Sequence, residues 1–129
     1  MSAQEYEKTL KTFFALGENK FPCFDLIILG MGGDGHTASL FRDDKILHEA
    51  KNLVVPVHYS KVNKERISVT LPVINNAKNI IFLVTGKDKA RIVKDVVEGD
   101  APSLPASLVK PSTGKLFFFL DSDSATFLN

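Results

Sequence analysis

One cysteine, Cys23, leaves no internal disulfide to form, and between Phe21, Pro22 and Phe24 it reads as a packed thiol rather than a reactive one. Charge of either sign is not in excess. Sixteen Lys and Arg against fifteen Asp and Glu leave a net charge of +1, so there is no broad basic field with which to hold nucleic acid or an anionic membrane. No apolar run approaches the roughly 20 residues needed to cross a bilayer. The polar start Met1-Ser2-Ala3-Gln4-Glu5 lacks the character of a signal peptide, and a cytoplasmic protein is expected. His36, His48 and His58 have no zinc spacing, and no cysteine cluster supplements them. Asp121 and Asp123 alternate like part of a calcium loop but lack its other ligands and its closing glutamate, so they read as turn or capping groups and no metal is expected. There is no serine in a G-x-S-x-G elbow, so Asp34, His36 and Ser39 do not read as a serine-hydrolase triad, and Ser39 is taken as a turn or substrate hydrogen-bonding residue. Internal repeats and low-complexity tails are also lacking.

With 129 residues, 44% hydrophobic and 24% charged, residues 1–129 are expected to form a single domain. Tyr6, Leu10, Phe13 and Phe14 recur at helical spacing, predicting a helix from Glu5 to Leu16 that ends near Gly17. Asp25-Leu26-Ile27-Ile28-Leu29 is apolar after its first residue and predicts a parallel strand buried on both faces. A helix is expected to begin at His36 to Ser39, with Asp43-Asp44 capping or breaking the chain before a second helical stretch toward Ala50. Pro56 makes Leu53 to Val57 an edge or short strand, and Arg66 to Leu71 alternates like a half-buried one. Pro72 opens a helix through Asn76. Asn79 to Thr85 and Lys115 to Leu120 complete the core strands, separated by a helix over Lys89 to Glu98 that Gly99 stops and by a turn-rich connector at 101–106. Strands alternating with helices imply an α/β domain with a mostly parallel sheet flanked by helices.

The segment Leu29-Gly30-Met31-Gly32-Gly33-Asp34-Gly35-His36 carries the chemistry. It places four glycines, a carboxylate and an imidazole at the carboxyl end of a strand, where catalytic groups of parallel sheets gather. Gly30, Gly32 and Gly35 match G-x-G-x-x-G. However, the next apolar strand ends at Val57-His58-Tyr59 without the ribose-binding carboxylate, and Asp34 inside the turn would repel a pyrophosphate, so a nicotinamide enzyme is outweighed. A second constellation, Gly86-Lys87-Asp88-Lys89-Ala90, joins a strand end to a helix start and offers cations and backbone donors to a phosphate.

Leu29 to Phe41 resembles the signature loop of the 6-phosphogluconolactonases, whose relatives the glucosamine-6-phosphate deaminases and isomerases share the Asp-Gly-His. The resemblance continues through Arg66-Ile67-Ser68-Val69-Thr70-Leu71-Pro72-Val73-Ile74-Asn75-Asn76-Ala77, Gly86 to Ala90, and Leu104-Pro105-Ala106-Ser107-Leu108-Val109. The Arg66 and Pro-Ala-Ser-Leu-Val segments favour the lactonase branch. The resemblance implies hydrolysis of 6-phosphogluconolactone to 6-phosphogluconate in the pentose phosphate pathway, with no metal or organic cofactor. It also implies catalytic roles for His36, as general base, and for Asp34, as an orienting or substrate-contacting carboxylate. Gly32 and Gly33 are then the sites of close backbone approach to substrate, and Lys89 and Arg66 the phosphate-binding cations, with Lys87 the less favoured lysine.

This chain resembles only the C-terminal part of such an enzyme. The glycine- and serine-rich phosphate loop and an acidic-arginine segment of the family's N-terminal half have no counterpart here, and Arg42 stands where many relatives have proline. An incomplete lactonase domain is therefore expected, with an exposed sheet edge and apolar face that favour self-association or an N-terminal partner segment. The rival expectations are a non-catalytic sugar-phosphate-binding or interaction module and a glucosamine-6-phosphate deaminase-like enzyme.

Overall fold

A computed structural model describes residues 2–59 and 63–129. Helix α1, Ala3–Phe13, starts at a capping box: the Ser2 hydroxyl accepts the Glu5 N–H, and the Glu5 carboxylate accepts the Ser2 N–H. It ends before the expected Gly17 because Ala15 takes φ 51° and turns the chain away. Three strands, β1 (Ile27–Leu29), β4 (Asn79–Val84) and β5 (Lys115–Leu120), form a parallel sheet in the order β1-β4-β5. Between the first two in sequence lie β2 (Val54–Tyr59) and β3 (Lys64–Val69), paired antiparallel as a separate hairpin in register from Val54 opposite Val69 to Tyr59 opposite Lys64. Pro56 is accommodated because neither strand of a two-stranded hairpin is central. The sheet is thus parallel, as expected, while the antiparallel hairpin is an addition that strand patterns alone did not pair.

Helix α2, Leu71–Asn75, is a single turn opened by Pro72, and α3, Ala90–Val97, follows a 3₁₀ turn at Lys87–Lys89 and stops before Gly99 at φ 80°. Leu71 and Ile74 of α2 and Ile92, Val93 and Val96 of α3 pack on one face of the sheet, around Ile80 and Phe82. The opposite face is not covered, and Ile28 is exposed. Burial of β1 on both faces is therefore corrected: a parallel strand is buried twice only where helices lie on both sides, and the α2 and α3 layer lies on one.

Two local expectations also change. No helix forms at His36 to Ser39; Thr37 and Leu40 bridge each other across a turn in which Ala38 has φ 50°. The Ser39 N–H donates to the Ser68 hydroxyl on β3, so that segment is tied to the hairpin instead of winding. The stretch toward Ala50 is a 3₁₀ turn, Lys45–His48, capped by the Asp44 carboxylate on the Ile46 N–H. Cys23 is exposed and not packed. The Asn76 amide donates to the Phe21 and Pro22 carbonyls and holds that run extended, so Pro22 turns inward and Cys23 outward. Among the described residues no helix is long and apolar enough to cross a membrane.

Candidate active site

The loop after β1 is built to hold one imidazole. The Gly32 N–H donates to the His36 carbonyl at 2.9 Å and the Gly35 N–H to the Gly32 carbonyl at 2.9 Å, so residues 32–36 close a tight turn. Gly35 stands at φ 86°, where only glycine is unstrained, with Leu104 against its α-carbon. The Ala106 N–H donates to the Gly35 carbonyl, so the Leu104-Pro105-Ala106 segment braces the turn from behind. At the loop's base, the buried Thr37 hydroxyl donates to the Gly30 carbonyl at 2.8 Å.

Within this turn the Asp34 carboxylate stands 2.6 Å from His36 Nδ1 and accepts the His36 backbone N–H at 3.1 Å. Burial by itself would raise the Asp34 carboxyl, but the hydrogen bonds from the His36 imidazole and backbone outweigh it, and the group titrates below the ordinary carboxylate range. An ionised carboxylate only accepts, so Nδ1 must carry the proton and donate. The neutral ring therefore presents Nε2 with a free lone pair, and the side chain is 31% exposed. Because folding lowers the Asp34 value, its contribution to stability is full above the usual carboxylate range and is lost as pH falls through the lowered value. Asp34→Asn cannot titrate. The stability deficit of this variant, read from urea midpoints at a series of pH values, is expected to be largest near neutrality and to shrink below about pH 4.

Gly32 and Gly33 differ. A Cβ on Gly32 would overlap Cε1 and Nδ1 of His36 and come 2.8 Å from Asp34 Oδ1, so the missing side chain makes room for the imidazole. Its N–H is already used by the His36 carbonyl, which corrects the expectation that this amide faces a ligand. Gly33 has open space about its α-carbon, and no hydrogen bond from its amide is seen among the described residues.

Lys89 reaches the same loop from the far end of β4: its ammonium donates to the Met31 carbonyl at 2.9 Å. With Gly30, Met31, Gly32, His36, Thr37 and Ala38 it lines one hollow. Lys87 is exposed and lines none of it. The Gly86 amide is also committed, at 3.2 and 3.3 Å from the two Asp121 carboxylate oxygens, so it is not the free phosphate donor expected. Asp121 accepts the Ser124 N–H as well and is held below its usual range chiefly by that bond, a capping role as expected.

Arg66 lies on a neighbouring hollow that Asp34, Phe41, His58 and Tyr59 help to line: its guanidinium carbon is 5.8 Å from the Phe41 ring centroid and 5.6 Å from that of Tyr59. Phe41 stacks on Tyr59 at 4.1 Å and meets the His36 ring at 4.8 Å. The two cations thus flank the Asp34–His36 pair through different intermediaries: Lys89 by a shared hollow, Arg66 by an aromatic stack. Phe41 and Tyr59 were not singled out from the sequence. Phe41 follows the loop, but its partner arrives only by way of the hairpin. Among the described residues no cluster of three or more His, Cys, Asp or Glu is set to hold a metal.

The model of the glucosamine-6-phosphate isomerases/6-phosphogluconolactonase family matches residues 1–118. The chain is 44% identical over 129 residues to the 6-phosphogluconolactonase of Homo sapiens, covering 98% of this chain and 49% of the human protein. It is 47% identical over 125 residues to the probable 6-phosphogluconolactonase 1 of Oryza sativa subsp. japonica, covering 92% of this chain and 42% of the rice protein. The fold superposes on the solved 6-phosphogluconolactonase of Trypanosoma brucei with a TM-score of 0.84 at 31% identity, over 98% of this chain and 52% of that one. The chain spans about half the length of the curated relatives it matches.

Proposed function

Since the chain belongs to the glucosamine-6-phosphate isomerase/6-phosphogluconolactonase family, we propose that it carries the general base for hydrolysis of 6-phosphogluconolactone to 6-phosphogluconate. The observation that supports this most directly is the Asp34–His36 pair, which leaves Nε2 free and facing an open hollow. His36 Nε2 takes a proton from water as the water oxygen attacks the lactone carbonyl. The oxyanion of the tetrahedral intermediate is met by the Gly33 N–H, the uncommitted amide of the turn. Collapse breaks the bond from the acyl carbon to the ring oxygen, and the imidazolium returns its proton to the departing alkoxide, giving a carboxylic acid and a hydroxyl. Asp34 steadies the imidazolium while it exists, and ordinary carboxylate ionisation follows release.

The substrate phosphate is assigned to Lys89 and Arg66, the two cations that flank the pair. Replacing Lys89 by alanine is expected to raise KM for the lactone about tenfold or more, the size of a lost charge-assisted hydrogen bond. The check is an initial-rate assay on freshly generated lactone, corrected for spontaneous opening. An unchanged KM would remove Lys89 from the phosphate site.

The deaminase alternative is not favoured. Curated relatives at 44–48% identity are 6-phosphogluconolactonases, whereas a monomeric glucosamine-6-phosphate deaminase is 20% identical and shares the fold alone. Ammonia release from glucosamine 6-phosphate is the assay that separates the two. The same proposal sets the reaction in the cytoplasm and the pentose phosphate pathway.

A further inference from the structure

Side chains alternate between the two faces of a strand. On the β1-β4-β5 sheet one set, including Leu29, Ile80, Phe82, Val84 and Phe118, enters the core with α2 and α3. The alternate set stays outside: Ile28 is 60% exposed, Leu83 54%, Phe119 53% and Phe117 41%. Strand register makes this a surface and not a scatter. Ile28, Ile81 and Phe117 stand in one row, Leu83 and Phe119 in the next, and the Phe117 and Phe119 rings meet edge to face at 6.4 Å. Leu26, 47% exposed, extends the patch beyond the start of β1. The only charged strand residue in this set is Lys115, at the outset of β5.

Single exposed apolar residues are ordinary, but contiguous rows mark a contact surface. Parallel strands joined by crossovers carry helices on both faces, and here the α3 crossover from β4 to β5 covers one. Two observations identify what covers the other. The relatives match this chain over nearly its whole length with only about half of theirs, their C-terminal part, so their N-terminal part is of similar size and ample for a helical layer. In addition, β1 is the edge strand and pairs with β4 alone among the described residues, so the sheet is open to extension where the apolar row begins.

We propose that this face is the docking surface for the N-terminal half-domain of the same family, which lays an apolar helical layer on Ile28, Leu83, Phe117 and Phe119. The loop bearing Asp34 and His36 leaves the carboxyl end of β1, so the docked half also walls the open side of the candidate active site.

The test joins the N-terminal half of the human relative to this chain as one fusion and compares it with the chain alone, each with and without Ile28→Glu and Phe119→Glu. In the chain alone both substitutions replace exposed apolar groups, so the thermal midpoint is expected to hold while binding of the dye ANS falls. In the fusion the same substitutions bury a charge, and the midpoint is expected to drop by about 5 °C or more. Equal tolerance in both, or a discrete dimer of the chain alone that persists in the fusion and is dissolved by the substitutions, overturns the proposal; the second outcome assigns the face to another copy. None of these readouts involves turnover, so a failure here is separate from a failure of the lactonase proposal.

Discussion

Replacing His36 by alanine is expected to lower kcat for 6-phosphogluconolactone hydrolysis by about 10² to 10⁴, the usual contribution of a positioned general base. The expectation follows from the geometry around one ring. The Asp34 carboxylate fixes the tautomer through Nδ1 at 2.6 Å, and Nε2 is then the basic atom that reaches the hollow shared with Lys89. The side chain is only partly buried and bonds to one exposed carboxylate, so its removal should change stability by less than about 1 kcal/mol. Loss of turnover with a preserved circular dichroism spectrum and melting midpoint is the predicted pattern. The rate must be read on freshly made lactone against its spontaneous opening. A variant that keeps the parent rate would take His36 out of the chemistry and leave a phosphosugar-binding module as the better account.

Gly32→Ala should be nearly as damaging, although it removes no chemical group. Gly32 has no positive φ, so alanine fits the backbone; the conflict is with the imidazole, which occupies the space a methyl would fill. The ring must swing away from Asp34 or the turn must open, and either displaces Nε2. Displacements of this size cost on the order of 10² in rate. Kinetics and the chemical shifts of the His36 ring in ¹⁵N spectra check this together. Reduced turnover with altered ring shifts is expected; full turnover would show that the turn yields without cost.

Much of the fold was legible because the signals are local. The Ser2 and Glu5 spacing, Pro72 at a helix start, Gly99 at a helix end and the apolar runs of β4 and β5 each act through neighbours within a few residues. Asp34 and His36 were legible for the same reason, two residues apart in a turn that glycine alone permits at position 35. The apparent helix at His36 to Ser39 failed because a bond from Ser39 to Ser68, 29 residues away, outweighed local preference. Phe41 and Tyr59 escaped notice because their stacking depends on how the hairpin lies over the loop.

The amino-acid sequence by itself determined the α/β character, the strand and helix order, and the candidate base with its carboxylate partner, since periodicity and short-range hydrogen bonding suffice for these. Only the tertiary structure decided that Gly32 makes room for the imidazole, that Asp121 takes the Gly86 amide, that Cys23 faces outward, and that one face of the sheet is left uncovered. Each of these depends on which distant groups compete for the same space or the same hydrogen bond, and that competition exists only once the chain has folded.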